Sequence, residues 1–276
     1  MNPYLLDLPA VVSFSGGRTS GYMLRKILDA HGGQPEDLKI CFQNTGLEHA
    51  ATYEFVKDCA DRWGCDITWL EYCVDENNQH SHRVVSAGAA SRDGGPFDAL
   101  IKKKQFLPNP VARMCTQEMK VKSLERWMET FGYEDYTIAI GLRGDEPRRA
   151  VRLLGDQSRS IVCPLYREGV TEKDVLEFWA ANDFDLQLST CGTFSNCVGC
   201  MLKSRQRLAT AMREAPQYFS WWIDKERMPL SSAPNGATFR SDRPSYAAML
   251  ETVQRQGVLP FQGLPDDTTI PCMCHD

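Results

Sequence analysis

Strand-length apolar runs alternate with amphipathic helical stretches through the first two-thirds of the chain, and this alternation constrains the fold most. "AVVSFS" (10–15) has the unbroken apolar character of a buried strand, and "SGYMLRKILDAHG" (20–32) follows as a helix closed by glycine. "LKICFQN" (38–44) predicts a second strand and "CDITWLEY" (65–72) a third. Between them "ATYEFVKDCADRWG" (51–64) predicts a helix with Phe55, Val56, Cys59 and Trp63 near one face. Further on, "QEMKVKSLERWMETFG" (117–132) predicts a helix and "YTIAIGLR" (136–143) a strand. Because each helix carries the chain back across the sheet, successive strands lie parallel. The expected fold is therefore α/β, a mainly parallel, doubly wound sheet flanked by helices. From "VTEKDVLEFWAAND" (170–183) onward the pattern turns helical and irregular, and this last part is rich in cysteine.

In such a sheet the turn after the first strand sits at the carboxyl edge, where the crevice of a doubly wound fold forms. Here that turn reads Ser15-Gly16-Gly17-Arg18-Thr19-Ser20. It is neither a GxGxxG nor a Walker loop. Successive backbone N–H groups, the start of a helix and the fixed fork of Arg18 together suit an anion such as phosphate. A plain strand-to-helix connection capped by serine uses the same residues.

Eleven cysteines bear on the redox compartment and on metal chemistry. "MNPYLLDLPA" has no basic start and no long apolar core, and no apolar run approaches the roughly 20 residues of a membrane span. The expectation is a cytoplasmic protein with no membrane partner, whose cysteines serve metal, cluster or catalytic roles rather than a disulfide framework. Cys41, Cys59, Cys65, Cys73 and Cys163 fall within apparent elements and read as small buried hydrophobes. Cys197 and Cys200 differ. Their C-x-x-C spacing lets two thiolates face one metal, and Gly199 between them is expected to leave the sulfurs accessible. The pair could also be a redox dithiol, although no thioredoxin-like context surrounds it. Cys115 sits among Arg113, Lys120 and Lys122, cations that favour a thiolate.

The net charge of −5 makes no global case for a nucleic-acid binder, yet residues 102–152 hold 11 Lys and Arg against 7 Asp and Glu. That stripe is either a solvated surface or the footprint of a polyanion. "SAGAASRDGG" (86–95) and "SSAPNGATFRSDRPS" (231–245) predict long loops and are candidates for lids.

Several motifs in one order point to a family. SGGRTS resembles the SGGxDS-type loop of the adenine nucleotide alpha hydrolase-like (PP-loop) superfamily. "FQNTGLEHAATYEFV", "GGPFDALIKKKQFLPNPVARMCTQEMK", "IAIGLRGDEPRR" and "CPLYREGVTEKDVLEFW" resemble successive segments of its phosphoadenosine phosphosulfate (PAPS) reductase-like branch, from residue 11 to about 204. The resemblance implies an adenine-nucleotide-binding α/β domain over residues 1–185. Residues 186–276 would form a helical, cysteine-rich region packed on it.

It also implies roles. Ser15, Gly16, Gly17, Arg18, Thr19 and Ser20 would hold the phosphates of ATP or a related adenine nucleotide. Asn44, Thr45 and Gly46 would line the second strand end, and Arg143, Asp145, Glu146 and Arg149 would close the pocket, with Mg²⁺ near the carboxylates. Arg18, Cys115 and Arg143 are the residues expected to take part in catalysis. Cys115, Cys197, Cys200 and a fourth ligand would hold a 4Fe–4S cluster, or zinc as the alternative. Cys272 of the "PCMCHD" tail is the first choice for the fourth ligand, with Cys274 and Cys191 behind it. Arg18 and Thr19 stand where many relatives that cleave ATP have Lys and Asp.

The function implied is ATP-dependent sulfur transfer or modification of a nucleic acid, tRNA or DNA, with an unidentified sulfur donor. The alternatives are a sulfonucleotide reductase, disfavoured by the missing Glu-Cys-Gly tail, and a non-catalytic nucleotide-binding module with a structural zinc.

Overall fold

The computed structural model describes residues 2–256. Its centre is a six-stranded sheet built from β1 (Ala10–Ser13), β2 (Leu38–Asn44), β3 (Thr68–Val74), β4 (His80–Val85), β5 (Thr137–Ile140) and β6 (Ser160–Val162). The strand order is β4-β3-β2-β1-β5-β6, with every pair parallel except the β3–β4 hairpin. All four residues of β1 are buried, as expected of a central strand covered on both faces.

Alternation along β1 feeds two cores. Ala10, Val12 and Phe14 pack with Met23, Leu24 and Ile27 of α1 (Arg18–His31), Phe55 and Val56 of α2 (Ala50–Trp63) and Trp179 of α7 (Glu172–Ala180). Val11 points the other way, toward Leu124, Trp127 and Met128 of α4 (Lys122–Glu129) and Ala150 and Leu153 of α5 (Pro147–Leu154). The sheet is thus wound on both faces.

Local chemistry sets the helix ends. α1 and α2 stop at Gly32 and Gly64, both left-handed. Thr171 and Asp174 form a capping box at the start of α7.

A third core joins the last helices to part of the first region. Val198, Met201, Trp222, Phe239 and Tyr246 pack with Phe97, Leu100 and Ile101 of α3 (Gly95–Lys104) and with Met114 and Met119. Short α6 (Pro164–Glu168) links the sheet to α7, and α8 (Arg205–Glu214), α9 (Ser220–Arg227) and α10 (Tyr246–Gln256) complete this part. Among the described residues no helix is long and apolar enough to cross a membrane.

Several details differ from the sequence expectation. β4 was not anticipated. It pairs antiparallel with β3, and its half-polar sequence HSHRVV suits an edge position. The helix expected over 117–132 starts as a wide π-helical turn, Cys115–Val121, before becoming α4.

Both candidate lids are tied to the body of the fold. In the first, the Ser91 N–H donates to Glu71 and the Arg92 guanidinium lies 3.6 Å from the Tyr53 ring centroid. In the second, Phe239 is fully buried, and the buried guanidinium of Arg243 donates to the carbonyls of Lys203 and Met201, each at 2.9 Å. Cys41, Cys59 and Cys163 are buried as expected, while Cys65 and Cys73 are half-buried.

Candidate functional site

The neighbours of β1 are β2 on one side and β5 on the other, so the strand order reverses between β1 and β5. A crevice forms outside the carboxyl ends of strands at such a point. It is present here as a cleft of about 390 Å³ whose floor is Ser15, Gly16, Gly17 and Thr19. Gly16 has φ +76, and a Cβ there would stand 2.7 Å from Thr52 Cγ2, so the turn admits no side chain at this position. Gly17 caps α1 without any side-chain bond to the first turn. The N–H groups that open every helix are therefore left for the cleft. Ser20 is a brace rather than a cleft residue. It is fully buried, accepts from the Ser15 N–H (3.2 Å), donates to the Gly17 carbonyl (3.0 Å) and lies 2.8 Å from the Ser15 hydroxyl.

Arg18 lines the cleft, but its guanidinium is committed. Nε and Nη2 donate to Asp185 Oδ1 and Oδ2 at 2.7 and 2.8 Å, and Nη2 also donates to the carbonyls of Leu186 and Leu188. This fork clamps the segment from Asp185 to Leu188 beside the glycine turn.

The loop after β5 is internally paired as well. Arg143 Nε donates to Asp145 (2.8 Å) and Nη1 to the Thr19 hydroxyl (3.2 Å), while Glu146 holds the Arg143 N–H and an ion pair with Arg149. Asp145 accepts from the Glu172 N–H at the start of α7, so it braces a helix. Arg143 and Glu146 reach the cleft wall, whereas Asp145 and Arg149 do not line it.

Arg207 supplies the cation not anticipated from the sequence. It lines the cleft and has no ion pair among the described residues. No local pattern marks it, because α8 brings it there from beyond the cysteine motif.

Asn44 and Gly46 stand away from the cleft. The Asn44 amide donates to Glu71 (2.7 Å) and to the Ser91 carbonyl (2.9 Å), and its oxygen accepts from the Gly46 N–H. Glu71 has no exposed surface, and such a carboxylate needs several donors, here also Arg83 and the Ser91 N–H. Asn44 is spent on that network. Thr45 turns elsewhere, donating to Glu48 (2.6 Å) and lying 3.3 Å from Cys197 Sγ.

Thr45 leads to a small second cavity. Cys115, Cys197 and Cys200 all line it, with Lys120, Asn196 and Trp222. The turn carrying Cys197 and Cys200 is pinned by the buried Lys203 ammonium, which donates to the carbonyls of Thr193, Cys197 and Val198 at 2.8, 3.1 and 3.0 Å. Gly199 does not open this turn to solvent. It is buried, and the Trp222 indole packs where its Cβ would be.

Burial, with the charge of Glu48, pushes the Cys197 thiol well above its usual value, against the opposing pull of Lys120 and Thr45. Among the described residues no three His, Cys, Asp or Glu side chains are drawn together closely enough to hold a metal ion. The three sulfurs share a cavity without yet converging. Cys191 does not line that cavity. Hydrogen bonds from Ser189 and Thr193 hold its exposed thiol below the ordinary value, at the edge of the cleft. Cys272 and Cys274 lie outside the described residues.

The cleft and the cysteine cavity lie back to back, with Asn196 in the wall of both. A narrow polar cavity between them is lined by Ser15 and Asn196, which also line the cleft, and by Lys120 and Asn196, which also line the cysteine cavity. Asn196 stands at the junction with φ +53, a left-handed conformation that asparagine tolerates better than most residues.

Fold and site together define an α/β protein with a charged cleft at the switch point of its sheet and three cysteines beside it. No protein-family model matches the chain. It is 30% identical over 210 residues to the uncharacterized nin region protein ORF290 of Escherichia phage lambda, covering 74% of this chain and 69% of the phage protein. The chain belongs to the family of that phage protein. Among solved structures it is similar to the U34-tRNA thiolase NcsA from Methanococcus maripaludis with its [4Fe-4S] cluster, at 15% identity, a TM-score of 0.40, and coverage of 98% of this chain and 80% of NcsA. At that level of likeness, chemistry has to be argued from this chain's own residues.

Proposed function

We propose that this chain is an ATP-dependent sulfur-transfer enzyme of the PAPS reductase-like, PP-loop kind, acting on a nucleic acid in the cytoplasm. The observation that carries the reading is the shared wall at Asn196. The cleft at the glycine turn and the three-cysteine cavity lie on its two sides, with Ser15, Gln43, Glu48 and Lys120 packed between them. A site that only bound nucleotide would have no use for thiols at its back.

In this reading the first-turn N–H groups of α1, with Ser15, Gly16, Gly17 and Thr19, hold the ATP phosphates, and Arg207 and Arg143 offset their charge. Glu146 and Glu172 are the carboxylates of the cleft wall, and they would help to hold Mg²⁺. An oxygen of the acceptor base attacks the α-phosphorus and pyrophosphate leaves. Sulfide from a donor then adds at the activated carbon, and AMP leaves with the former carbonyl oxygen. Arg18 positions the cleft wall in both steps. Cys115, Cys197, Cys200 and, from outside the described residues, Cys272 would hold a soft thiolate-bound group, an iron–sulfur cluster or zinc. When bound, an iron–sulfur cluster with an open iron supplies a place to carry sulfide.

The test is anaerobic purification of the full chain with iron, sulfide and zinc analysis, alongside calorimetry with ATP and pyrophosphate. Iron and sulfide near 400 nm absorption, with ATP binding that Arg207→Ala weakens, is the expected result. Stoichiometric zinc without ATP turnover would make the chain a nucleotide-binding module instead.

A further inference from the structure

Trp222 is 1% exposed, and its indole Nε1–H has no hydrogen-bond partner among the described residues. Two other buried or half-buried indoles are satisfied: Trp179 donates to the Arg18 carbonyl and Trp221 to Asp98, each at 2.8 Å. A buried donor left unmet is unfavourable, so it calls for an acceptor.

The surroundings say where the acceptor belongs. The Nε1 edge of the ring occupies the space of the missing Cβ of Gly199, one of the two residues between Cys197 and Cys200 in the C-x-x-C turn. The same ring lines the cavity shared by Cys115, Cys197 and Cys200. It cannot swing away, because Phe239 crosses it at a centroid distance of 4.9 Å and Tyr246 stacks on it at 5.5 Å. Tyr246 also donates its hydroxyl to the Gly199 carbonyl, tying the stack to the turn.

We propose that Trp222 donates its indole N–H to a cysteine sulfur when the cysteine cavity holds a metal group, and so is a positioning residue that tunes that group. The inference rests on the reading of Cys115, Cys197 and Cys200 as ligands. A thiolate is an anionic acceptor that a neutral buried N–H serves well, and donors in this outer position orient ligands and govern affinity. Gly199 fits the same role: any side chain there would push the indole off the turn.

The test is an anaerobic titration of the reduced, metal-free full chain with cobalt(II), followed through the thiolate-to-cobalt charge-transfer absorption. Trp222→Phe removes the donor and part of the ring while keeping an aromatic in the stack, and Trp221→Phe matches it in volume lost. Trp222→Phe should weaken cobalt binding about 10- to 100-fold and shift the charge-transfer band. Trp221→Phe removes a neighbouring indole of the same aromatic cluster that bonds Asp98 instead, and should leave both affinity and band unchanged. Equal losses in the two variants, or an unchanged Trp222→Phe titration, would overturn the proposal while leaving the cysteines as ligands. A wild-type chain that shows no thiolate-to-cobalt band overturns the ligand reading itself and this proposal with it.

Discussion

Arg18 and Asp185, 167 residues apart in the chain, are joined by two parallel N–H···O bonds of 2.7 and 2.8 Å across the rim of the cleft. The arginine of the glycine turn is therefore a structural clamp on the Asp185–Leu188 segment, which carries Leu186 and Leu188 into the cleft wall. Arg18→Ala should loosen that wall and cost about 1–2 kcal/mol, since Asp185 stays partly solvated. Arg18→Lys should not restore it, because an ammonium cannot make the fork. Chemical denaturation of Arg18→Ala, Asp185→Ala and the double variant checks this. A double-mutant coupling near zero would mean that the two residues act independently.

Gly16 is the position where the turn tolerates nothing larger. Gly16→Ala adds a methyl 2.7 Å from Thr52 Cγ2 on a backbone at φ +76, and should destabilise the chain by about 2 kcal/mol. Pyrophosphate binding should fall with it. Gly17→Ala is a milder control, since the nearest atom to its Cβ is the Ser15 hydroxyl at 3.5 Å.

Arg207 offers the opposite signature. It lines the cleft without an ion pair among the described residues, so Arg207→Ala should leave the unfolding midpoint unchanged. ATP affinity should drop about tenfold with the loss of one charge-assisted contact. Equal affinity in calorimetry would remove Arg207 from the phosphate site.

Glu118 gathers the basic stripe that the sequence shows between residues 102 and 152. Lys104 lies 3.1 Å away, Lys122 and Arg126 each 3.4 Å, and His80 3.9 Å, around a carboxylate that is 4% exposed. Part of the stripe is thus neutralised inside the fold. Burial alone would raise the Glu118 pKa, but the Lys104 hydrogen bond and the charges of His80, Lys104 and Lys122 carry it below the ordinary glutamate value. A carboxylate whose folded pKa is depressed stabilises the fold above its unfolded value of 4.5, and that stability is lost as pH falls through the folded pKa. Glu118→Gln should therefore cost about 2–3 kcal/mol at neutral pH and progressively less below pH 4.5 in acid unfolding.

The two kinds of cysteine should separate by pH. Ser189 and Thr193 hold the Cys191 thiol below the ordinary value of 9.0, while burial holds Cys197 above it. In the metal-free chain iodoacetamide should label Cys191 from near-neutral pH and Cys197 only in alkali. Peptide mass spectrometry reads both sites, and identical pH profiles would contradict the geometry.

The sequence by itself determined the elements whose signal is local. β1, β2, β3, β5, α1, α2 and α7 follow from apolar periodicity and, at α1 and α2, glycine stops, each of which acts within about one turn of chain. The glycine turn was legible for the same reason, since its place after a central strand sets where it lies. Cys197 and Cys200 stood out by spacing and Cys115 by its cationic neighbours and its place in the resembled motif, and the fold brings all three to one cavity. Only the tertiary structure decided what these groups meet. The commitment of Arg18 to Asp185, the diversion of Asn44 to Glu71, the arrival of Arg207 in the cleft and the unmet indole of Trp222 depend on partners dozens to more than a hundred residues away. Neutralisation of the lysines around Glu118 likewise depends on the packing of α3, the wide turn and α4. Hydrogen bonds and ion pairs of this kind leave no periodic trace in the chain, because their geometry exists only once the sheet has brought distant segments together.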